Sequence, residues 1–268
     1  MRIRHSGRRL PAALLAALLA ARTMTALAAP ASASVSASQA ESLIISWMNR
    51  DRIAAGLSTY RSDYNLAVVA GYRASRMARA NVMSHTISGS IPSQLNARGV
   101  AWYAYGEDIG YSTRTWTVEA AQSIYAMWKA SSPHRALILS RSFNYVGLGL
   151  AYRSSNHRTF ASAIFSESPD HTGARGFFTN AARSGSDVRW TWTGYDVQLQ
   201  THTAGLRAFD IQYRVGLGTW VALRTGTTST GIVLPARSSG QSYALRVRAS
   251  DRRGNLGVWS APLPIWVP

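Results

Sequence analysis

The pattern of apolar and polar residues changes character part-way along the chain. Up to residue 168, several segments have apolar residues at intervals of three and four, the period of an amphipathic helix. After residue 188, apolar and polar residues alternate, as in strands with one buried face. The pattern therefore predicts a first region that mixes helices with strands and a second region built of strands.

Three segments of the first region have the helical period. The first begins at a capping box, Ser38-Gln39-Ala40-Glu41. The second follows Asp63, whose side chain can cap a helix over residues 65–82, and we expect Arg73 to lie off its apolar stripe. The third covers residues 118–130. These are typical lengths for helices of globular proteins.

Strand-like segments accompany these helices. A short strand is predicted at residues 100–105, and two more at 145–152 and 159–165, where β-branched and aromatic residues are frequent. A helical turn beginning at Ser132-Pro133 precedes the last two. Helices that flank a small sheet indicate an α+β sandwich over residues 39–168.

The rest of the chain reads as a linker followed by an all-β domain. Residues 169–187 are polar and contain Gly and Ser, so we expect a linker in which His171 is solvated. His157, in the loop between the two strands predicted at residues 145–152 and 159–165, is also expected to be solvated. Many short alternating segments over residues 188–268 predict a β-sandwich. Five tryptophans of this part belong either to its core, which the alternation favours, or to a sugar-stacking face: Trp190, Trp192, Trp220, Trp259 and Trp266.

The N-terminus has the pattern of an export signal. Four arginines precede the Ala/Leu run Leu10–Ala21, and Ala31-Ser32-Ala33 fits a signal-peptidase site. We therefore expect residues 1–33 to be removed; general secretion is favoured, and Arg8-Arg9 leaves twin-arginine export as the alternative. No later run is long and apolar enough for a membrane helix. The expected location is outside the cell, with retention at the wall as one outcome.

Charge adds a second indication of an envelope location. The formal net charge is +17, and all basic residues except Lys129 are arginine. Codon bias in a GC-rich bacterium is one explanation, and attraction to anionic envelope polymers is the other. The arginines are scattered and no binding motif accompanies them, so specific nucleic-acid recognition is not expected.

The candidate chemistry is confined to a few positions of the first region. His85, Glu107 and His134 each stand beside small or turn-forming residues. There is no cysteine, which excludes thiol chemistry and cysteine-ligated zinc. No Gly-x-Ser-x-Gly, His-Glu-x-x-His or phosphate-loop motif is present.

Residues 41–166 resemble the CAP superfamily, also called the SCP-like extracellular domain, in its bacterial secreted form. The resemblance rests on the order and spacing of short motifs: Asn49-Arg50, Gly56-Leu57, Met83-Ser84-His85, Gly106-Glu107-Asp108-Ile109, Trp128, Ser132-Pro133-His134-Arg135, Ile138-Leu139 and Val146-Gly147-Leu148-Gly149. It implies a three-layer α-β-α sandwich. It also implies a cleft for a small apolar or lipid-like ligand, or for a partner protein.

The same resemblance implies a cleft built by two histidines and two acids. His85, Glu107 and His134 match three of these positions. Ser131 stands where the second acid is found in relatives that have it, and Asp108 replaces the usual asparagine after Glu107. The four-group site of the family is therefore incomplete in this chain.

Three interpretations of this set remain open. His85 and His134 can hold a divalent metal such as zinc. Glu107 would then be either a further ligand or a hydrogen-bond acceptor for one of the ligating histidines. Glu107 and a histidine can act as acid and base of a hydrolase, although no nucleophile or substrate-activating group can be named. Alternatively, the three side chains hydrogen-bond to one another and tie helices to the sheet. We expect a binding protein without enzymatic activity; the alternative is a metal-dependent secreted hydrolase.

Residues 188–268 resemble a fibronectin type III-like domain. The resemblance rests on the alternating segment Tyr243–Asp251, on Gly254-Asn255 and on Trp259-Ser260-x-Pro262. It implies an immunoglobulin-like β-sandwich, which we expect to serve as an adhesive or spacing module at the envelope.

Overall fold

The computed structural model describes residues 35–114, 118–235 and 237–268, so the predicted export signal at residues 1–33 lies outside the described residues. The described residues of the first region form five helices: α1 (Ala37–Ala54), α2 (Tyr64–Ala80), α3 (Ile91–Ala97), α4 (Val118–Ala130) and α5 (Ser132–Ile138). Its strands are β1 (Arg61–Ser62), β2 (Ala104–Ser112), β3 (Tyr145–Arg153) and β4 (Arg158–Glu167). Among the described helices, none has the length and apolar character needed to cross a membrane.

The first region is a three-layer α-β-α sandwich, as the resemblance implies. Its sheet has the order β1-β3-β4-β2, with β1 and β3 parallel and the other pairs antiparallel. Val146, Leu148 and Leu150 of β3 pack against α1, α4 and α5 on one face. Helices α2 and α3 cover the other face. Because alternate side chains of β3 point to opposite faces of the sheet, this strand contributes to the core on both sides.

Two glycines of β3 let helix α2 lie directly on the sheet. A Cβ atom added to Gly147 would stand 2.1 Å from the backbone nitrogen of Ala67, and one added to Gly149 would stand 2.1 Å from that of Gly71. No side chain fits at such distances. The Gly147-Leu148-Gly149 motif is therefore explained by close packing of a helix backbone on a strand backbone.

Two predicted boundaries are corrected by the structure. The capping box of α1 is formed by Ser36 and Gln39 rather than by Ser38 and Glu41, because Ser36 has extended backbone angles while Ser38 is already helical. The Glu41 carboxylate instead accepts a hydrogen bond from the backbone N–H of Leu150 at 2.9 Å. The strand expected at residues 100–105 is β2, which begins at Ala104 because its ladder to β4 begins there.

The second region is a β-sandwich of two antiparallel sheets. Its strands are β5 (Arg175–Ser184), β6 (Asp187–Tyr195), β7 (Leu206–Val215), β8 (Val221–Thr227), β9 (Gly231–Leu234), β10 (Gln241–Asp251) and β11 (Leu263–Val267). The sheet orders are β5-β6-β9 and β11-β10-β7-β8. Trp190 and Trp192 are buried between the sheets, as the alternation favours. This confirms the fibronectin type III-like sandwich.

Most of the expected linker, residues 169–187, is the strand β5. Its polar composition hid the strand because only one side faces the core, where Phe178 and Ala181 pack. A bulge between Phe178 and Asn180 also interrupts the period of two on which recognition of a strand depends.

The remaining residues between the two regions are packed rather than free. The His171 imidazole, which we expected to be solvated, lies 2.7 Å from an oxygen of Asp63 and stacks on Tyr145 with ring centroids 3.9 Å apart. The side chain of Asn144 donates to the carbonyl groups of Ser168 and Thr201, and Leu199 is buried in the core cluster beneath α2. These contacts hold the sandwich against the first region.

The glycine contact between β3 and α2 gives a direct test of the packing. We expect Gly149→Ala to lower the free energy of unfolding by about 1–3 kcal/mol or more, because its methyl group overlaps the helix backbone. Gly71→Ala is the matched control on the facing helix. A Cβ there meets nothing within 4 Å, and removing a helical glycine stabilises by about 0.5–1 kcal/mol. Urea unfolding of both variants measures this, and equal destabilisation would contradict it.

Candidate functional site

A cleft of about 480 Å³ lies at the open edge of the first sheet. Strand β2 forms this edge, because it pairs with β4 alone. The segment after α2 and the start of α3 form the opposite wall. The lining residues are His85, Thr86, Gly89, Ser90, Ile91, Tyr105 and Glu107.

A buried ion pair lies at the base of this cleft. The Nε atom of Arg73 on α2 donates to Oε1 of Glu107 at 2.6 Å, and an Nη atom donates to Oε2 at 2.9 Å. The two side chains are 1% and 2% exposed. The guanidinium also donates to the backbone carbonyl groups of His85 and Gly89. One arginine of α2 thus connects this helix to the segment that follows it and to strand β2.

The Glu107 carboxylate has no free acceptor position. Besides Arg73, the hydroxyl of Ser162 donates to Oε1 at 2.8 Å, and Nδ1 of His85 lies 2.7 Å from Oε2. A carboxylate offers about four acceptor positions, and four contacts occupy them here. Glu107 therefore cannot bind a metal ion directly or take up a proton from a substrate without losing one of these partners.

The bond to Glu107 fixes the orientation of the His85 ring. With Nδ1–H donated to the carboxylate, the neutral ring carries its lone pair on Nε2. The His85 side chain is 55% exposed and lines the cleft. The structure therefore presents one acceptor or ligand nitrogen to whatever occupies the cleft.

His134 lies on α5, on the opposite face of the sheet from α2, and among the described residues it does not form a group with His85 and Glu107 whose ligand atoms all lie within 4.8 Å of one another. Its Nδ1 atom is buried without a hydrogen-bond partner among the described residues. Burial, and then repulsion from His85, lower the pKa of its imidazole. Ser131 is the N-cap residue of α5 and makes no capping hydrogen bond through its side chain.

The prediction missed Arg73, which we had expected off the apolar stripe of α2. Arg73 stands three residues after Ala70 and four after Val69, so its Cβ points to the same face as theirs. This spacing was a usable signal. An arginine on the buried face of a helix needs an acid to pair with, and a carboxylate on the facing sheet is its natural partner.

Asp108 lies on the other face of β2 and is fully buried. Neither of its carboxylate oxygens has a hydrogen-bond partner among the described residues. Burial, and then repulsion from Glu107, raise the pKa of this carboxyl group to about 8. The acid that replaces the usual asparagine is therefore held in its neutral form at pH 7.

A group of three carboxylates lies where the two regions meet. Oxygens of Asp170, Asp196 and Asp251 come within 4.8 Å of one another. Each accepts hydrogen bonds from backbone amides, for example from Ala204, Gly205 and Asn255, respectively. Burial and the two neighbouring charges raise the pKa of Asp196. These bonds fix the loops at the junction of the two regions.

The geometry described so far defines an α-β-α sandwich with a His/Glu cleft at one sheet edge. Residues 45–165 match the model of CAP, the cysteine-rich secretory protein family. The first region is therefore a CAP domain, although the chain itself contains no cysteine. No curated protein is similar enough in sequence to count as a match.

Solved structures resemble the two regions separately. An extracellular protein containing a SCP domain from Bacillus anthracis is 23% identical, with a TM-score of 0.42, over 48% of this chain and 41% of that one. An outer surface protein from Borrelia burgdorferi is 14% identical, with a TM-score of 0.44, over 52% and 99% of the two chains. A Fn3-like protein from Clostridium thermocellum is 18% identical, with a TM-score of 0.27, over 37% and 96%.

Asp108 makes the stability of the fold depend on pH. Its pKa is raised from 3.8 to about 8 in the folded chain, so folding is opposed increasingly as pH rises between these values. Replacement by Asn keeps the size and shape of the side chain and removes the group that titrates. We expect the stability of Asp108→Asn relative to the native chain to rise by about 1.4 kcal/mol per pH unit over this range. Unfolding curves at several pH values check this, and a difference that does not change with pH would contradict it.

Proposed function

We propose that the chain is an exported CAP-domain protein that binds a small, partly apolar ligand in the cleft at the β2 edge and does not catalyse a reaction there. The N-terminal sequence has the pattern of an export signal. The family matched by residues 45–165 is described as one of secretory proteins. Both observations support a location outside the cell.

The observation that supports a binding role rather than catalysis is that all hydrogen-bond acceptor positions of the Glu107 carboxylate are already used. A general base must accept a proton, and here each carboxylate oxygen already accepts two hydrogen bonds. The partner Arg73 is buried, so withdrawing the negative charge would leave a buried cation unpaired. This arrangement favours a carboxylate that holds His85 in place.

The cleft combines apolar and polar surfaces. Ile91 and Tyr105 line it, and Val82 and Met83 are half exposed next to His85 in the chain. A volume of about 480 Å³ falls in the usual range for small-molecule sites. An apolar tail can contact these side chains while a polar head group bonds to Nε2 of His85.

Charge supports retention at the envelope. Outside residues 1–33, basic residues exceed acidic ones by 12. Anionic wall polymers would attract such a surface in a salt-dependent way. We therefore infer that the β-sandwich acts as an envelope-binding module.

One feature favours the second candidate, a divalent-metal site. Metal-binding histidines commonly donate their other ring N–H to a carboxylate, as His85 does to Glu107. The Nδ1 atom of His134 has no hydrogen-bond partner among the described side chains, but His85, Glu107 and His134 do not form a described group whose ligand atoms all lie within 4.8 Å of one another. Ser131 stands where the resemblance expects a second acid, so the described residues of this region that match the family's cleft offer two histidine nitrogens for zinc and no third. Such a set fits weak binding better than a metal-dependent hydrolase.

The test compares two tyrosine substitutions in the purified full-length secreted protein. We expect Tyr105→Ala to lower the amount of ligand recovered by solvent extraction and mass spectrometry about tenfold, since stacking and apolar contact are lost. Tyr64→Ala is the matched control, because Tyr64 is 75% exposed and lies at the start of α2.

Two outcomes would overturn this assignment. One is recovery of no small apolar molecule from the unmodified protein. The other is stoichiometric zinc that disappears in a His85→Ala/His134→Ala double variant together with a hydrolytic activity. That result would support the metal-dependent hydrolase instead.

A further inference from the structure

A second cleft, of about 560 Å³, lies where the CAP domain meets the sandwich. Arg61 of β1 stands on one side of it. Arg175 and Phe177 of β5 and Tyr195 of β6 stand on another, and Trp259 of the segment after β10 completes it. This cleft shares no lining residue with the cleft at the β2 edge.

Aromatic side chains form one wall of the cleft. Phe177 and Tyr195 are 43% and 50% exposed, and their rings meet edge to face with centroids 6.2 Å apart. They come from neighbouring paired strands, so the backbone ladder fixes their spacing. Exposed aromatic rings held in this way offer flat apolar faces to a ligand.

Trp259 is a third aromatic residue with a fixed position. The guanidinium groups of Arg246 and Arg248 lie 4.8 Å and 4.7 Å from its ring. The hydroxyl of the next residue, Ser260, accepts a hydrogen bond from the backbone of Val247. The indole ring therefore needs little ordering when a ligand binds.

The charge of the cleft is positive and uncompensated. The side chains of Arg61 and Arg175 make no ion pair or hydrogen bond with any described residue. No acidic residue is found among the lining residues. Arg175 lies directly opposite Tyr195 in the β5–β6 ladder, which places a guanidinium beside the aromatic wall. Free guanidinium groups bind carboxylate and phosphate oxygens well.

We propose that this cleft binds a segment of an anionic glycan. A sugar ring stacks on Tyr195 and its aromatic neighbours, and a carboxylate or phosphate attached to the sugar pairs with Arg61 and Arg175. This deepens the proposed envelope retention and is independent of the cleft at the β2 edge. The anion can come from a lactyl carboxylate of peptidoglycan or from a phosphate of a wall polymer.

The experiment measures binding of three probes to the full secreted chain by quenching of tryptophan fluorescence. The probes are the disaccharide N-acetylglucosaminyl-N-acetylmuramic acid, N-acetylglucosamine 1-phosphate and neutral chitobiose. We expect at least one anionic probe to bind about tenfold more tightly than chitobiose, the effect of one charge-assisted contact. The tighter anionic probe identifies the source of the anion.

Three variants separate a built site from general charge attraction. Arg175→Gln should remove the preference for the anionic probe, and Tyr195→Ala should weaken all sugar binding. Arg189→Gln is the matched control, because Arg189 is exposed on the same sheet but does not line the cleft. Equal loss in Arg175→Gln and Arg189→Gln, or no preference over chitobiose, would overturn the proposal. Arg175→Gln should still retain the apolar ligand, so the two proposals can fail separately.

Discussion

The buried ion pair between Arg73 and Glu107 is the interaction on which the first domain depends. Burying two charges costs several kcal/mol for each ion unless both are paired and hydrogen-bonded. Arg73 meets this condition by donating to the carboxylate and to the carbonyl groups of His85 and Gly89. The same contacts hold the segment after α2 against the sheet. That segment is one wall of the cleft, so the cleft exists because the ion pair does.

This constraint also shapes the chemistry of the site. Because Glu107 is committed to Arg73 and Ser162, what it offers His85 is orientation rather than proton transfer. Close packing of α2 on the glycines of β3 brings Arg73 within reach of Glu107 in the first place. A larger residue at Gly149 would lift the helix and weaken the pair. The second cleft differs, since Arg61 and Arg175 have no ion-pair or hydrogen-bond partner in the part of the chain that the structure describes and stand beside exposed aromatic rings.

The sequence predicted elements whose signal is local and missed those that depend on distant partners. Helices α2 and α4 and the Asp63 cap followed from periodicity and capping chemistry. The CAP and fibronectin type III-like folds followed from motif order. Arg73 was misplaced although its spacing from Val69 and Ala70 puts it on the buried face, because a buried arginine is expected only where an acid can pair with it, and Glu107 is 34 residues away. Strand β5 was missed because few of its side chains are buried, and pairing with β6 defines it.

A double-mutant cycle of the ion pair tests this account most directly. The variants are Glu107→Leu, Arg73→Met and the double variant, each measured by the free energy of unfolding in urea. The account predicts that each single change costs about 3–5 kcal/mol, because it leaves one buried charge unpaired. It also predicts that the double variant is more stable than either single variant. Single costs below about 1 kcal/mol, the range of exposed pairs, or strictly additive costs would contradict it.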